Sequence, residues 1–347
     1  MSRNLFRGEL IARRSRGFTL IELMIGVVIS LMGLAAVATM MMTFSKKRTG
    51  ITQTLAAQDN GVMALYRLER DAGQAGYALM PLLSCATIAN GASPSFTPYP
   101  LVITDGGTGA SDVITVKGVN STSGIPGTEL DNNGGLSASM TGSQYNVRST
   151  LGFSVNDIVA ATLTCAMTSV TSVSATALGY SYTSALPSST SAGFLVSFGQ
   201  PGEFFNRQYA IGTTGLTVAD YPGFATNTLV DNIVFMKAQY GLASSITGSP
   251  ATVTSWVSGA TALTGSSCSG AAVHPACVVA VRIGVVARSS QSAKESVDQP
   301  NPLTVLPQIG SGSPPTGAAV TYTLPDTSMR YRAYSTIIPL KNVIWGR

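Results

Sequence analysis

One carboxylate, Glu22, stands in an otherwise uncharged run of 27 residues, FTLIELMIGVVISLMGLAAVATMMMTF, that fills positions 18–44. A carboxylate in hydrocarbon costs on the order of 2.5 to 3.5 kcal/mol even on lenient scales, so it persists there only with a partner or a function. The other reactive residue types offer less. His274 is the only histidine, so an HExxH zinc site is impossible and a Ser-His-Asp triad would have to use it. It lies between Cys268 and Cys277, a poor place for a mobile base. There is no G-x-S-x-G nucleophile elbow and no GxxxxGK[ST] phosphate loop. The chain is therefore not expected to be an enzyme, and no cofactor is expected.

The four cysteines, Cys85, Cys165, Cys268 and Cys277, all follow the apolar run. They suit structural disulfides in an oxidising compartment. Three pairings are possible and the sequence does not choose between them. The short loop through Gly270 and Pro275 favours Cys268 with Cys277, and Cys85 with Cys165. A zinc site from Cys268, His274 and Cys277 is the alternative, without an evident fourth ligand or the usual paired spacing. The segment Asp105-Gly-Gly-Thr-Gly-Ala-Ser-Asp112 has the look of a calcium loop, but it holds too few carboxylates for a hard-cation cage and reads better as a turn into a strand. No metal is expected. Trp256, Trp345, Tyr331 and Tyr334 could line a binding surface, yet scattered aromatics more often belong to a core.

The charges are as unevenly placed as the cysteines. The chain has 347 residues, 45% hydrophobic and 11% charged, with a net charge of +5. Arg3, Arg7, Arg13, Arg14 and Arg16 against Glu9 supply four of those five charges, and Lys46, Lys47 and Arg48 add three more. Beyond Arg48 the thirteen basic and fourteen acidic residues nearly cancel. That balance gives the bulk of the chain no polyanion-binding character, so no nucleic-acid partner is expected.

The element that must position Glu22 is a helix. At ~1.5 Å per residue, 27 residues reach about 40 Å, more than the ~30 Å of bilayer hydrocarbon. Five arginines before the run outweigh three cations after it, which keeps residues 1–17 cytoplasmic and exports the C-terminal part. An ordinary signal peptide cut near Ala36-Val37-Ala38 is a competing reading. It leaves Glu22 and the apolar residues from Thr39 to Phe44 unexplained. A plain single-span anchor also leaves Glu22 as a cost without a return.

Residues 16–24, RGFTLIELM, resemble the processing signal of type IV pilins and type II secretion pseudopilins. The resemblance implies that a prepilin peptidase cuts between Gly17 and Phe18 and that Phe18 becomes the N-methylated first residue. Glu22 matches the glutamate at the fifth mature position. Elementary electrostatics agrees, because cleavage creates a cationic amine on Phe18 and a helix start presents unpaired N–H groups. Glu22 of one subunit could then pair with Phe18 of a neighbour and act as an assembly switch.

With no proline before Pro81, one helix can run from Phe18 to about Ala72, and Gly73 and Gly76 supply a stop. Its outer half predicts a buried stripe of Ile51, Leu55, Val62, Leu65, Leu68 and Ala72, interrupted by Gln58 and Glu69. Candidate strands follow at 112–117, 157–162, 166–173, 229–241, 278–288 and 331–341. The small polar segments 118–150, 174–192 and 243–275 read as loops. The fold class is α+β: a cleaved leader over 1–17, a long helix over 18–76 (18–44 membrane-spanning, 45–76 amphipathic), and a β-rich exported domain of antiparallel sheet over 77–347.

The outer part resembles the PilW family of minor pilins in four places: Arg67-Leu-Glu-Arg-Asp-Ala-Gly-Gln-Ala-Gly-Tyr77, Asn156-Asp-Ile-Val159, Leu229-Val-Asp-Asn-Ile-Val-Phe-Met-Lys-Ala-Gln-Tyr-Gly241 and Tyr331-Arg-Ala-Tyr-Ser-Thr-Ile-Ile-Pro-Leu-Lys-Asn342. Asn156 replaces the family's usual glycine, and Pro339 falls in the last strand, where it suits an edge or a bulge. The resemblance implies a structural subunit that helps initiate a type IV pilus or sits at its tip. The implied partners are other major and minor pilins, the prepilin peptidase, the inner-membrane assembly machinery and a tip adhesin. It implies a single-pass inner-membrane precursor with its domain in the periplasm, and later a place in the surface pilus. A type II secretion pseudopilin and a membrane-anchored exported binding module are the alternatives.

Overall fold

The computed structural model describes residues 17–90, 93–120, 127–131, 138–182, 186–220, 225–248, 252–293, 296–309 and 317–346. The arginines and Glu9 of the expected leader lie outside these residues. One long helix opens the described chain, α1 (Leu20–Gly73, 54 residues). The chain divides into two compact units at Thr52 and Gln53.

The first unit is the apolar part of α1. Its side chains are exposed from Leu20 to Thr49, and it is long and apolar enough to cross a membrane. Its hydroxyls turn back onto the helix rather than outward. Ser30 donates to the Gly26 carbonyl at 2.8 Å, Thr39 to Ala36 at 2.8 Å and Thr43 to Thr39 at 2.9 Å. These three hydroxyls are thus satisfied within the helix, which a lipid environment requires.

The second unit begins with the rest of α1 and continues with antiparallel sheets. The strands run β1 (Ile88–Asn90), β2 (Ser93–Phe96), β3 (Leu101–Thr104), β4 (Val113–Val119), β5 (Gly127–Leu130), β6 (Gln144–Asn146), β7 (Ile158–Ala161), β8 (Ala166–Val173), β9 (Ala177–Ser181) and β10 (Gly193–Gly199). Then come β11 (Phe204–Ile211), β12 (Gly215–Asp220), β13 (Asn227–Asp231), β14 (Ile233–Leu242), β15 (Ser255–Ser258), β16 (Val278–Arg288), β17 (Leu303–Leu306), β18 (Val320–Tyr322) and β19 (Tyr331–Pro339), with a short helix α2 (Lys341–Trp345). Among the described residues they form an eight-stranded sheet with the path β2-β1-β8-β7-β10-β5 and β9 and β6 branching from β8. A five-stranded sheet has the order β13-β12-β11-β4-β3, a four-stranded one β15-β14-β16-β19, and β17 pairs with β18. Pairing is antiparallel apart from β1 with β8.

The outer half of α1 packs on its small residues, which corrects the stripe expected from the sequence. Ala57, Gly61, Ala64, Leu68 and Ala72 are buried, whereas Ile51, Leu55 and Val62 are 62, 52 and 53% exposed and Leu65 is only partly buried. The reason is closeness of approach. A Cβ on Gly61 would lie 2.2 Å from Cδ2 of Tyr334 on β19, so the helix seats where it has least bulk. The helix face with Ala57, Ala64 and Leu68 joins Val281, Ile283, Val285 and Ile338 in the largest core cluster.

Beyond Gly73 the chain turns through Gly76 at φ +83, where a Cβ would meet the Pro100 ring at 2.9 Å. Asn342 in α2 donates to the Gln74 and Ala75 carbonyls, both at 3.1 Å, and so finishes the helix end from the other terminus of the chain. The expected strand 229–241 is two strands broken at Asn232, which has φ 60. Pro339 is the last residue of an edge strand, where its missing N–H costs no ladder bond. The segments expected to be loops contain β5, β6, β9 and β15, short strands held by backbone pairing without an apolar run.

Candidate functional site

Gly17 and Phe18 precede the helix outside any regular secondary structure, and Phe18 is 80% exposed. Among the described residues nothing lies within 4 Å of the place a Gly17 Cβ would occupy. α1 then starts at Leu20 because Thr19 caps it. The Glu22 N–H donates to Thr19 Oγ1 at 3.3 Å, and the Thr19 hydroxyl donates to Glu22 Oε2 at 3.5 Å. This is a capping box of the T-x-x-E kind, with the carboxylate taking the hydroxyl. The carboxylate thereby stays at the N-terminal turn, next to the positive end of the helix dipole and one turn from Phe18. The Thr19-x-x-Glu22 spacing is a signal that reading Glu22 in isolation overlooks.

The expected calcium loop is a turn whose charges are already taken. Lys237 Nζ lies 2.7 Å from Asp105 Oδ1 and 2.6 Å from Asp112 Oδ1. The Ala238 N–H also donates to Asp112 Oδ2 at 2.9 Å, and the Gly107 N–H to Asp105 Oδ1 at 2.9 Å. Burial opposes the charge on Lys237, but the two carboxylates more than restore it, and its pKa is raised. The Lys237 hydrogen bond, with Gly107 second, holds Asp105 below the usual carboxylate range. An ammonium therefore occupies the position a cation would need.

Cys85 is bonded to Cys165, and Cys268 to Cys277. Cys277 is fully engaged in its disulfide, and His274 Nδ1 accepts from the Ala276 N–H at 3.2 Å. Those three residues therefore make a stapled turn. Trp256, Tyr331 and Tyr334 pack into or against cores, while Trp345 is 79% exposed. No His, Cys, Asp and Glu group able to hold a metal ion occurs among the described residues.

A second polar constellation, invisible as a motif, fixes the end of α1 to the five-stranded sheet. Asp71 is paired with Arg207 on β11 at 2.9 Å and with Arg70 at 3.0 Å, and accepts a short hydrogen bond from the Tyr209 hydroxyl. Burial alone would push the Asp71 pKa up. The Tyr209 hydroxyl, Arg70 and Arg207 outweigh it and hold the carboxyl below its ordinary value.

An apolar helix with a carboxylate in its first turn, followed by antiparallel sheets packed on its outer half, fits the type IV pilin class. Two comparisons bear on this. Residues 12–38 match the prokaryotic N-terminal methylation motif, and residues 213–342 match the family of type IV pilus-assembly protein W. Together the two matches support a PilW-like type IV minor pilin. The second match runs from the hairpin before β12 to α2, and so includes β14, β16 and β19, which share the largest core cluster with the outer half of α1. Both families are structural rather than catalytic. The motif and the apolar helix mark membrane anchoring. No match was found among curated proteins or solved structures.

Proposed function

We propose that the chain is made as a single-pass inner-membrane precursor and cut after Gly17, with Phe18 becoming the methylated mature N-terminus. Its β-rich domain faces the periplasm, and assembly carries it into the pilus, where it serves initiation or occupies the tip beside other minor pilins and an adhesin. Glu22 drives entry into the filament by pairing with the Phe18 amine of a neighbouring subunit. The observation that carries this reading is the Thr19–Glu22 box. It presents an uncompensated carboxylate at the N-terminal turn of an apolar helix, where a second chain end can reach it.

The outer half of α1 supports the same reading. Leu55, Val62 and Tyr66 are 52, 53 and 59% exposed on the side of the helix away from its buried small residues. They lie past Lys46, Lys47 and Arg48, where lipid no longer covers them, so burial against other subunits is their remaining source of stabilisation. The test is Glu22→Ala. Membrane insertion is expected to stay at the wild-type level, while recovery in sheared pili falls at least about tenfold, the equivalent of 1.4 kcal/mol. Equal recovery of the variant and the wild type would contradict the proposal.

A further inference from the structure

β19 is an outer strand with β16 on one side only. The register shows which of its backbone groups are committed. Leu340 N–H donates to the Val279 carbonyl and Ser289 N–H to the Arg330 carbonyl, so the even-numbered residues 332–338 bond to β16 and the odd-numbered ones point outward. At the start of the strand the outward groups are used by one side chain. Gln299 Nε2 donates to the Met329 carbonyl at 2.7 Å, and Gln299 Oε1 accepts from the Tyr331 N–H at 3.0 Å. Pro339, at the other end, has no N–H.

Between these stops Ala333, Ser335 and Ile337 turn N–H and C=O groups outward, without a partner among the described residues. Ser335 and Ile337 are exposed, Ile337 by 53%. The pairing of β19 has no bulge, and positions 333–337 carry no charge and no proline. These are the devices that normally blunt an edge, and they occur only at the ends of this one.

We propose that the edge from Ala333 to Ile337 docks an extended, acidic strand of a different exported subunit, which extends the four-stranded sheet by one strand. The proposal rests on the assembly reading above. Three residues' worth of outward N–H and C=O at strand spacing are matched by another extended backbone and by little else. The charge selects the kind of strand. Residues 327–346 include Arg330, Arg332 and Lys341 and no acidic residue. The nearby carboxylates are Asp59, which faces Tyr334 from α1, and Asp326 in the preceding turn. Two copies of this edge brought together would place basic residues against basic residues, which disfavours self-pairing.

The experiment uses the full-length chain in cells that assemble filaments. Ser335→Pro removes an outward N–H and leaves the bonds to β16 in place, and Ser335→Ala is its control. A photo-crosslinking residue at position 337 reports the neighbour. The expected result is a crosslink to another pilin-class subunit that Ser335→Pro abolishes, with recovery in sheared filaments reduced about tenfold and Ser335→Ala unchanged. Wild-type recovery of Ser335→Pro, or a crosslink joining two copies of this chain, overturns the proposal. Should Ser335→Pro unfold, Ser335→Asp decides by the same readout, since at this exposed position it sets a carboxylate against an acidic strand. Loss of Glu22→Ala from filaments with retention of the edge variants refutes the edge alone; retention of Glu22→Ala refutes the assembly reading.

Discussion

Glu22 and Lys117 are both ionisable groups in apolar surroundings, and the protein treats them in opposite ways. Glu22 is exposed at a helix start, and its proposed partner lies on another chain. Lys117, on β4, is 4% exposed, and among the described residues its Nζ has one weak hydrogen bond, to Thr97 Oγ1 at 3.3 Å. Asn206 sits directly across from it on β11, with a buried Oδ1 that lacks a partner. Burial lowers the Lys117 pKa from 10.5 to about 8. The unfolded chain therefore holds this proton more tightly than the folded one between pH 8 and 10.5, and stability rises with pH across that window. Below about pH 8 both states are protonated and the full cost remains. Lys117→Met is expected to raise stability at pH 7 by on the order of 3 kcal/mol. The gain shrinks to nothing as pH climbs past about 10.5, as thermal unfolding of the detergent-solubilised chain at several pH values would record; a pH-independent gain would rule the account out. At this scale Glu22 was legible because a lone carboxylate in an apolar run has few explanations. Lys117 was not. The run Asp112-Val-Ile-Thr-Val-Lys117 suggests one wet face, but β4 is covered on both sides.

For elements, shape decided more than hydrophobicity. The helix α1 offers two interleaved stripes, one bulky and one small, and a count of apolar residues selects the bulky one. The sheet selects the small one, because the Tyr334 ring fills the space over Gly61. Gly61→Ala is accordingly expected to destabilise the protein by about 1 to 3 kcal/mol, despite the ~1 kcal/mol that alanine adds to helix propensity. Chemical denaturation of the pair measures it, and a stabilised variant would contradict the packing described. Leu55→Ala, on the exposed side, is expected to leave folding stability within about 0.5 kcal/mol of the wild type in the same measurement. The strands at 158–161, 166–173 and 278–288 were readable from continuous β-rich runs. β11 was not, because Asn206, Arg207 and Gln208 interrupt its pattern. Arg207 is there to meet Asp71, a partner 136 residues away that no local pattern reveals.

Considered as a whole, the molecule separates two tasks along its sequence. The N-terminal run carries the methylation motif and the apolar anchor, with the proposed junction and assembly carboxylate inside it, and its signals are local, so they were legible residue by residue. The β-rich part is held by long-range terms: two disulfides, the Asp71 and Lys237 ion pairs, and Arg282. That buried arginine reaches Gln239 Oε1 at 2.7 Å and the Pro307 and Ala318 carbonyls at 2.9 and 2.8 Å. Its α+β class followed from the order of elements, but its division into several sheets did not, since strand order depends on which edges meet. The central claim joins the two tasks through a new chain end at Phe18. Mass spectrometry of the N-terminal peptide from protein recovered in sheared filaments tests it most directly. The account predicts a mature chain beginning with N-methylated Phe18, and a chain beginning at Met1 or Thr39 would contradict it.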